Sequence, residues 1–109
     1  MKLNELNDLS LSAFINAADT PAVLTFHAPF SRPARTMLPV ISDVAESYEG
    51  VMRFALVNTD HAQRTVDRLG ILSLPTYVVY KDGKVISRFI GLLTKEKLVE
   101  RVEQCLQQL

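Results

Sequence analysis

Short apolar runs recur along the chain and predict the strands of a buried sheet. The runs 22–26 (AVLTF) and 51–57 (VMRFALV) are short and partly β-branched, which is typical of strands covered on both faces. Two further runs, 77–80 and 84–90, lie on either side of residues 81–83 (KDG). Because Asp-Gly between two strand-like runs favours a tight turn, we predict an antiparallel hairpin there.

Apolar residues at spacings of three and four predict four helices around these runs. Ser10 is the candidate N-cap of the first helix, Asp60 that of the third and Thr94 that of the last, while Gly70 ends the third. The apolar positions, in chain order, are Leu11, Phe14 and Ile15; Met37, Ile41, Val44, Ala45 and Tyr48; Ala62, Val66 and Leu69; and Leu98, Val102, Cys105, Leu106 and Leu109.

The second helix is the longest and contains two prolines. Pro33 falls in its first turn, where the missing amide has no intrahelical partner in any case. Pro39 falls inside the apolar stripe and should kink the helix, which we expect to end near Gly50. The predicted order is therefore α-β-α-β-α-β-β-α. It indicates an α/β fold with parallel pairing between the early strands and an antiparallel pair at the end.

Charge and composition then narrow the possible functions. Lysines plus arginines number 12 and equal the acidic residues, so no overall positive field favours nucleic acid. No apolar run is long enough for a membrane span or a signal peptide, and we expect a cytoplasmic protein. The single cysteine, Cys105, excludes an intrachain disulfide and a cysteine-based zinc site, and we expect no metal. Its place on the apolar face of the last helix predicts a buried structural thiol.

A series of short motifs occurs in an order that resembles one known family. They are 26–30 (FHAPF) after a strand, 31–34 (SRPA) ahead of Pro39, 57–60 (VNTD), 69–71 (LGI), 74–76 (LPT), the Asp82-Gly83 turn and Gly91. With this order and spacing the sequence resembles the thioredoxin family over nearly its whole length. The resemblance implies a thioredoxin fold, with a mixed central β-sheet flanked by helices on both faces, in one domain over residues 1–109.

The resemblance also implies a Cys-Gly-Pro-Cys turn, and the chain departs from it at four positions. Ser31 and Ala34 occupy the two positions where the family has its thiols. Thr25 occupies the position of a buried acid in the preceding strand, and Leu56 that of a lysine in the neighbouring strand. In the family the first thiolate is stabilised at a helix N-terminus and the second thiol resolves the mixed disulfide. A hydroxyl and a methyl group cannot do this, so we expect no dithiol exchange at this turn. Without that chemistry a buried acid or lysine would only destabilise the fold. Threonine and leucine avoid this cost, and we expect Thr25 and Leu56 in the core.

A groove beside the turn is a further implication of the resemblance. The resemblance predicts a cis peptide bond between Leu74 and Pro75, in a loop whose backbone binds an extended peptide by strand addition. It also places Pro29 at the apolar rim of the groove. Equally, Pro75 could be kept only for the geometry of the loop. The predicted groove residues are Phe30, Ser31, Arg32, Pro33, Ile71, Leu74, Pro75, Thr76 and Gly91.

Three other activities involve residues of the turn. His27 lies four residues before Ser31 and suggests a base with its nucleophile, but it more simply fills the space of a tryptophan usual in the family. Arg32 and Arg35 suggest an anion site in the first turn of the helix, or else two solvated cations on an exposed corner. Ser31 could stabilise a glutathione thiolate, as a serine does in relatives of this fold that carry a second helical domain.

The leading hypothesis is a redox-inactive thioredoxin-like domain without a cofactor. It would bind a protein or extended peptide through the groove, as an adaptor, assembly factor or chaperone-like module, and exist as a monomer or weak dimer. One alternative is a glutathione-binding enzyme using Ser31. Another is a protein-disulfide oxidoreductase whose two cysteines have been replaced, which explains Ser31 and Ala34 but not Thr25 or Leu56.

Overall fold

The chain folds as a mixed sheet with helices on both faces, as predicted, and the sheet has five strands. The computed structural model describes residues 3–17 and 19–108. The elements are β1 Asn4–Leu6, α1 Asp8–Ile15, β2 Ala22–His27, α2 Arg32–Ser47, β3 Arg53–Asn58, a 3₁₀ turn Thr59–His61, α3 Gln63–Leu69, β4 Thr76–Lys81, β5 Lys84–Ile90 and α4 Lys95–Gln107. The strand order is β1-β3-β2-β4-β5, with β3 parallel to β1 and β2, and β4 antiparallel to β2 and β5.

The predicted order of elements is wrong at its start, because it omits β1. This three-residue strand pairs with β3 in parallel, and Leu6 is its buried residue. The strand β3 also begins later than predicted, at Arg53. The amides of Val51 and Met52 still donate to the Tyr48 carbonyl, so these two residues belong to the turn that ends α2.

Two of the predicted N-caps are wrong. Asn7, not Ser10, caps α1: its side chain accepts from the amides of Leu9 and Ser10, and the Ser10 hydroxyl accepts from the Asn7 amide to complete a capping box. Asp60 lies in the 3₁₀ turn, and its amide donates to the side chain of Asn58.

The amides at the N-terminus of α3 instead donate to a residue of a distant element. The carboxylate of Asp8, the first residue of α1, accepts from the amides of Arg64 and Thr65 and from the Thr65 hydroxyl, at 2.7–3.1 Å. The predicted C-terminus of α3 and the predicted N-cap of α4 are confirmed. Gly70 ends α3 in the left-handed conformation, and the Thr94 hydroxyl accepts from Lys97 to cap α4.

Alternation along the strands divides the core between the two faces of the sheet. One face packs against α2 and α4, whose buried residues include the predicted Met37, Ile41, Val44, Leu98 and Val102. The other face packs against α1 and α3. Leu109 lies outside the described residues. Pro39 lies inside α2 as predicted, while the kink expected there stays a prediction. The Asp82-Gly83 hairpin is confirmed, with both residues at positive φ.

Candidate functional site

The turn between β2 and α2 is a capped helix start. Ser31 is the N-cap of α2, and its hydroxyl oxygen accepts from the amide of Ala34 at 3.3 Å. The Ser31 amide donates to the Ala28 carbonyl at 3.0 Å, and the Arg35 guanidinium donates to the Pro29 carbonyl. Only 9% of Ser31 is exposed and Ala34 is fully buried. The hydroxyl at the position of the first thiol therefore caps the helix.

The only thiol of the sequence lies away from this turn. Cys105 is in α4, 3% exposed, and packs in the core between α4, α2 and the sheet. The predicted structural burial of Cys105 is confirmed. Since Ser31 and Ala34 carry no sulfur, the turn offers no group that could form a disulfide.

The positions of the missing acid and lysine lie side by side on one row across the sheet. Thr25 of β2 is in register with Leu56 of β3, and Leu56 is in register with Glu5 of β1. Thr25 is fully buried, as expected, and its hydroxyl has no hydrogen-bond partner among the described residues. Leu56 is only half-buried, because it lies towards the β1 edge and lines a surface groove with Leu38 of α2. The expectation of a core position is therefore right for Thr25 and wrong for Leu56.

His27 faces a carboxylate rather than the candidate nucleophile. Its Nε2 atom lies 3.6 Å from Glu5 Oε2, and His61 Nδ1 lies 3.9 Å from Glu5 Oε1. Burial lowers the pKa of His27, and the Glu5 charge offsets this only in part. Since the Ser31 hydroxyl is engaged with α2 and His27 Nε2 is directed at β1, the geometry does not support a His27–Ser31 dyad.

An open apolar cavity lies beside the turn, and several predicted groove residues line it. The peptide bond between Leu74 and Pro75 is cis, as predicted. The cavity has a volume of about 420 Å³. Its predicted lining residues are Phe30, Ser31, Arg32, Pro33, Ile71 and Leu74, and those that sequence reasoning missed are Thr59, Val66, Leu72 and Ser73.

The three other predicted groove residues lie next to the cavity instead of lining it. The Gly91 amide donates to the Pro75 carbonyl at 3.0 Å, which joins the end of β5 to the cis-proline loop. Thr76 is fully buried, and β4 places it between Phe26 and Ile90. Its backbone is therefore inside the sheet. Leu74 precedes the strand and makes no hydrogen bond through its backbone to any described residue, so it is the residue left to pair with an added strand.

One charged side chain lines the cavity. Arg32 is the only charged residue that lines it, and Arg32 forms no ion pair with the described residues. The first turn of α2 has no acidic residue. No set of three His, Cys, Asp or Glu side chains in the described part of the chain is arranged to hold a metal ion.

Comparison with known proteins agrees with this architecture. The thioredoxin family model matches residues 2–104. An M-type chloroplastic thioredoxin of Pisum sativum is 33% identical over 99 residues, which cover 91% of this chain but only 58% of the pea protein. Thioredoxin 1 of a Nostoc species is 29% identical over 100 residues, covering 92% of this chain and 94% of the relative. An M-type chloroplastic thioredoxin of Chlamydomonas reinhardtii is 31% identical, covering 93% of this chain and 72% of the relative.

The fold and these matches define an α/β domain of the thioredoxin type. The chain belongs to the thioredoxin family. Among the described residues, no helix combines the length and the apolar character needed to cross a membrane.

Proposed function

We propose that this domain binds a protein partner through the cavity and the cis-proline loop and does not exchange disulfides. It would act as an adaptor, an assembly factor or a chaperone-like module. The observation that carries the proposal is the use of Ser31: its hydroxyl caps α2 where a thioredoxin needs a thiolate, beside a cavity that remains open.

The positions around the turn support the same function. Ala34 has no reactive atom and is buried, and Thr25 has no charge with which to move a proton. Binding, in contrast, needs only surface and backbone groups. Phe30 is 75% exposed at the rim of the cavity, and the backbone of Leu74 is free to pair with an extended segment.

Two measurements on the purified protein test the proposal. With dithiothreitol as reductant, insulin reduction should stay at background, because neither Ser31 nor Ala34 can form a mixed disulfide. Binding should be measured by calorimetry with a reduced, carboxymethylated polypeptide, which stays unfolded and exposes extended apolar segments. Catalysed reduction of insulin at the rate of an ordinary thioredoxin would refute the redox-inactive half of the proposal.

Phe30→Asp separates groove binding from other binding. It replaces an aromatic side chain that lines the cavity by a charge and should weaken binding by about 2 kcal/mol, as expected for an aromatic residue that contributes strongly to an interface. Melting should barely change, since position 30 is exposed. Lys95→Asp, on α4, adds the same side chain elsewhere and should bind like the parent protein. Equal binding by Phe30→Asp and the parent would show that the cavity is not the binding site.

A further inference from the structure

The cavity combines an apolar wall with a cation that forms no ion pair with the described residues. The described ion pairs lie elsewhere: Glu5 with two histidines, Lys81 with Asp82, and Lys97 with Glu100. None includes Arg32. At the first position of α2 a cation also opposes the helix dipole, so helix stability does not account for an arginine there. Asp60 is an exposed acid next to Thr59 of the lining, but it does not line the cavity.

Two exposed apolar side chains line the same cavity, and two more lie beside the adjoining loop. Of the seven large hydrophobic residues that are exposed in the described chain, Phe30 and Leu72 line the cavity. Ile90 and Leu92 flank Gly91, whose amide donates to the Pro75 carbonyl of the adjoining loop. Leu72 is 96% exposed at the mouth of the cavity. Single exposed apolar residues are ordinary, but a group of them at one cavity and its adjoining loop is typical of an interaction surface. The volume of about 420 Å³ falls among the smaller ligand pockets and can take a large side chain.

We propose that the partner segment recognised here is acidic as well as apolar. It is an extended stretch that puts a large apolar side chain into the cavity and an Asp or Glu carboxylate against Arg32. In an extended chain, side chains on one face are two residues, about 7 Å, apart. The segment therefore has its carboxylate two residues from the apolar anchor, while its backbone pairs with Leu74. This inference rests on the proposed function and adds the chemical class of the partner.

Labelled peptides of matched length test this charge preference. Three fluorescein-labelled peptides in a Gly/Ser background carry Leu-Ser-Glu, Leu-Ser-Lys or Ser-Ser-Glu at the centre, and fluorescence anisotropy gives the dissociation constant of each. The parent protein should bind the Leu-Ser-Glu peptide at least about twofold more tightly than the Leu-Ser-Lys peptide, since an exposed ion pair gives a factor of up to about five and repulsion of the lysine adds to it. Raising the salt concentration to about 0.5 M should shrink the difference because exposed charges are screened.

Two charge-reversal variants identify the source of the preference. Arg32→Glu should reverse it, so that the Leu-Ser-Lys peptide binds more tightly. Lys84→Glu makes the same change of sign in the hairpin at the opposite end of β5 and should keep the preference of the parent. Melting curves check that both variants are folded, and an acid at the first position of α2 is compatible with the helix dipole.

The possible failures distinguish this inference from the proposed function. If both leucine peptides bind the parent equally and more tightly than the Ser-Ser-Glu peptide, the cavity is an apolar site without acidic preference, and the inference is wrong. A preference that survives in Arg32→Glu overturns it as well. If the leucine peptides bind no better than the Ser-Ser-Glu peptide, both the inference and groove binding by the proposed function are wrong.

Discussion

Replacing Thr25 by Asp should destabilise the protein strongly at neutral pH. Thr25 is fully buried in the middle of the sheet, between Leu56 of β3 and Tyr77 of β4. Neither neighbour carries a positive charge. No described residue offers a hydrogen bond to the Thr25 hydroxyl, so a carboxylate placed there has no ready donor. The change restores the acid that the family resemblance implies, but without the lysine or the thiol that would give it a role.

The size of the effect follows from the pKa of the introduced carboxyl. In the unfolded chain it ionises near a pKa of about 3.9, and burial in apolar surroundings raises such a pKa by about 3 units or more. At 1.36 kcal/mol per unit, a 3-unit shift lowers the free energy of unfolding by about 4 kcal/mol at pH 7. That is a large share of the total of about 5–15 kcal/mol expected for a domain.

The pH dependence identifies the mechanism. Because the folded-state pKa is raised, the folded protein binds the proton more tightly between pH ~4 and the folded pKa, and stability falls as pH rises through that window. The deficit against the parent should therefore be small near pH 4 and full at pH 7. Urea denaturation followed by circular dichroism at several pH values measures it. Thr25→Asn has nearly the same size and no charge, so it should show a deficit that does not vary with pH.

Two results would refute this reasoning. A Thr25→Asp protein as stable as the parent at pH 7 would mean that the introduced carboxylate reaches solvent or a donor. A deficit with the same pH profile as Thr25→Asn would mean that size, and not ionisation, causes the loss. His27 lies on the same face of β2, and its interaction with the new carboxylate exists only in Thr25→Asp. Both variants should therefore also be measured in the His27→Phe background, which removes that interaction.

The remaining predictions concern two titratable groups outside the cavity. Burial lowers the pKa of His27 below its usual 6.5, so the parent should lose stability as the pH falls below that value. His27→Phe should lose less stability than the parent between pH 7.5 and 5, as measured by urea denaturation. Equal losses in the two proteins would contradict this. Hydrogen bonds from the Thr65 hydroxyl and from the amides of Thr65 and Arg64 hold the pKa of Asp8 below its usual 3.8. The stability that this carboxylate gives is therefore present above that value and is lost as the pH falls below it. Asp8→Ala should melt earlier at pH 7 and show faster hydrogen exchange at the Arg64 and Thr65 amides, whereas unchanged exchange would mean that Asp8 does not cap α3.

Local signals in the sequence were sufficient for most of the fold. Gly70 and the Asp82-Gly83 pair mark left-handed positions that few other residues adopt, and the structure has them where they were predicted. The long stripe of α2 depends only on spacing within one helix. By contrast, β1 has three residues and a single buried side chain, Leu6, so it has no alternation to detect. Its formation depends on pairing with β3, about fifty residues away along the chain.

The site was predictable to the extent that the family resemblance carried it. The cis bond before Pro75 and the burial of Thr25 followed from aligned motifs, and the structure has both. Val66 and Leu72 of the cavity wall were not predicted. The stripe of α3 places Val66 towards the core, and the cavity is formed by four separate stretches of the chain, which local patterns do not bring together. Leu72 was the available signal for this wall, since a strongly apolar residue in a loop suggests a contact surface.

The burial of Cys105 has a consequence for how any partner would be held. A thiol that is 3% exposed in the α4 core is shielded from oxidants and from exchange with other disulfides. A complex formed at the cavity would therefore be governed by concentration and affinity, through mass action, and not by the balance of oxidised and reduced thiols around it. Its occupancy should be the same in buffers with and without a reductant, so the domain would hold its partner continuously under conditions that switch a dithiol relative on and off.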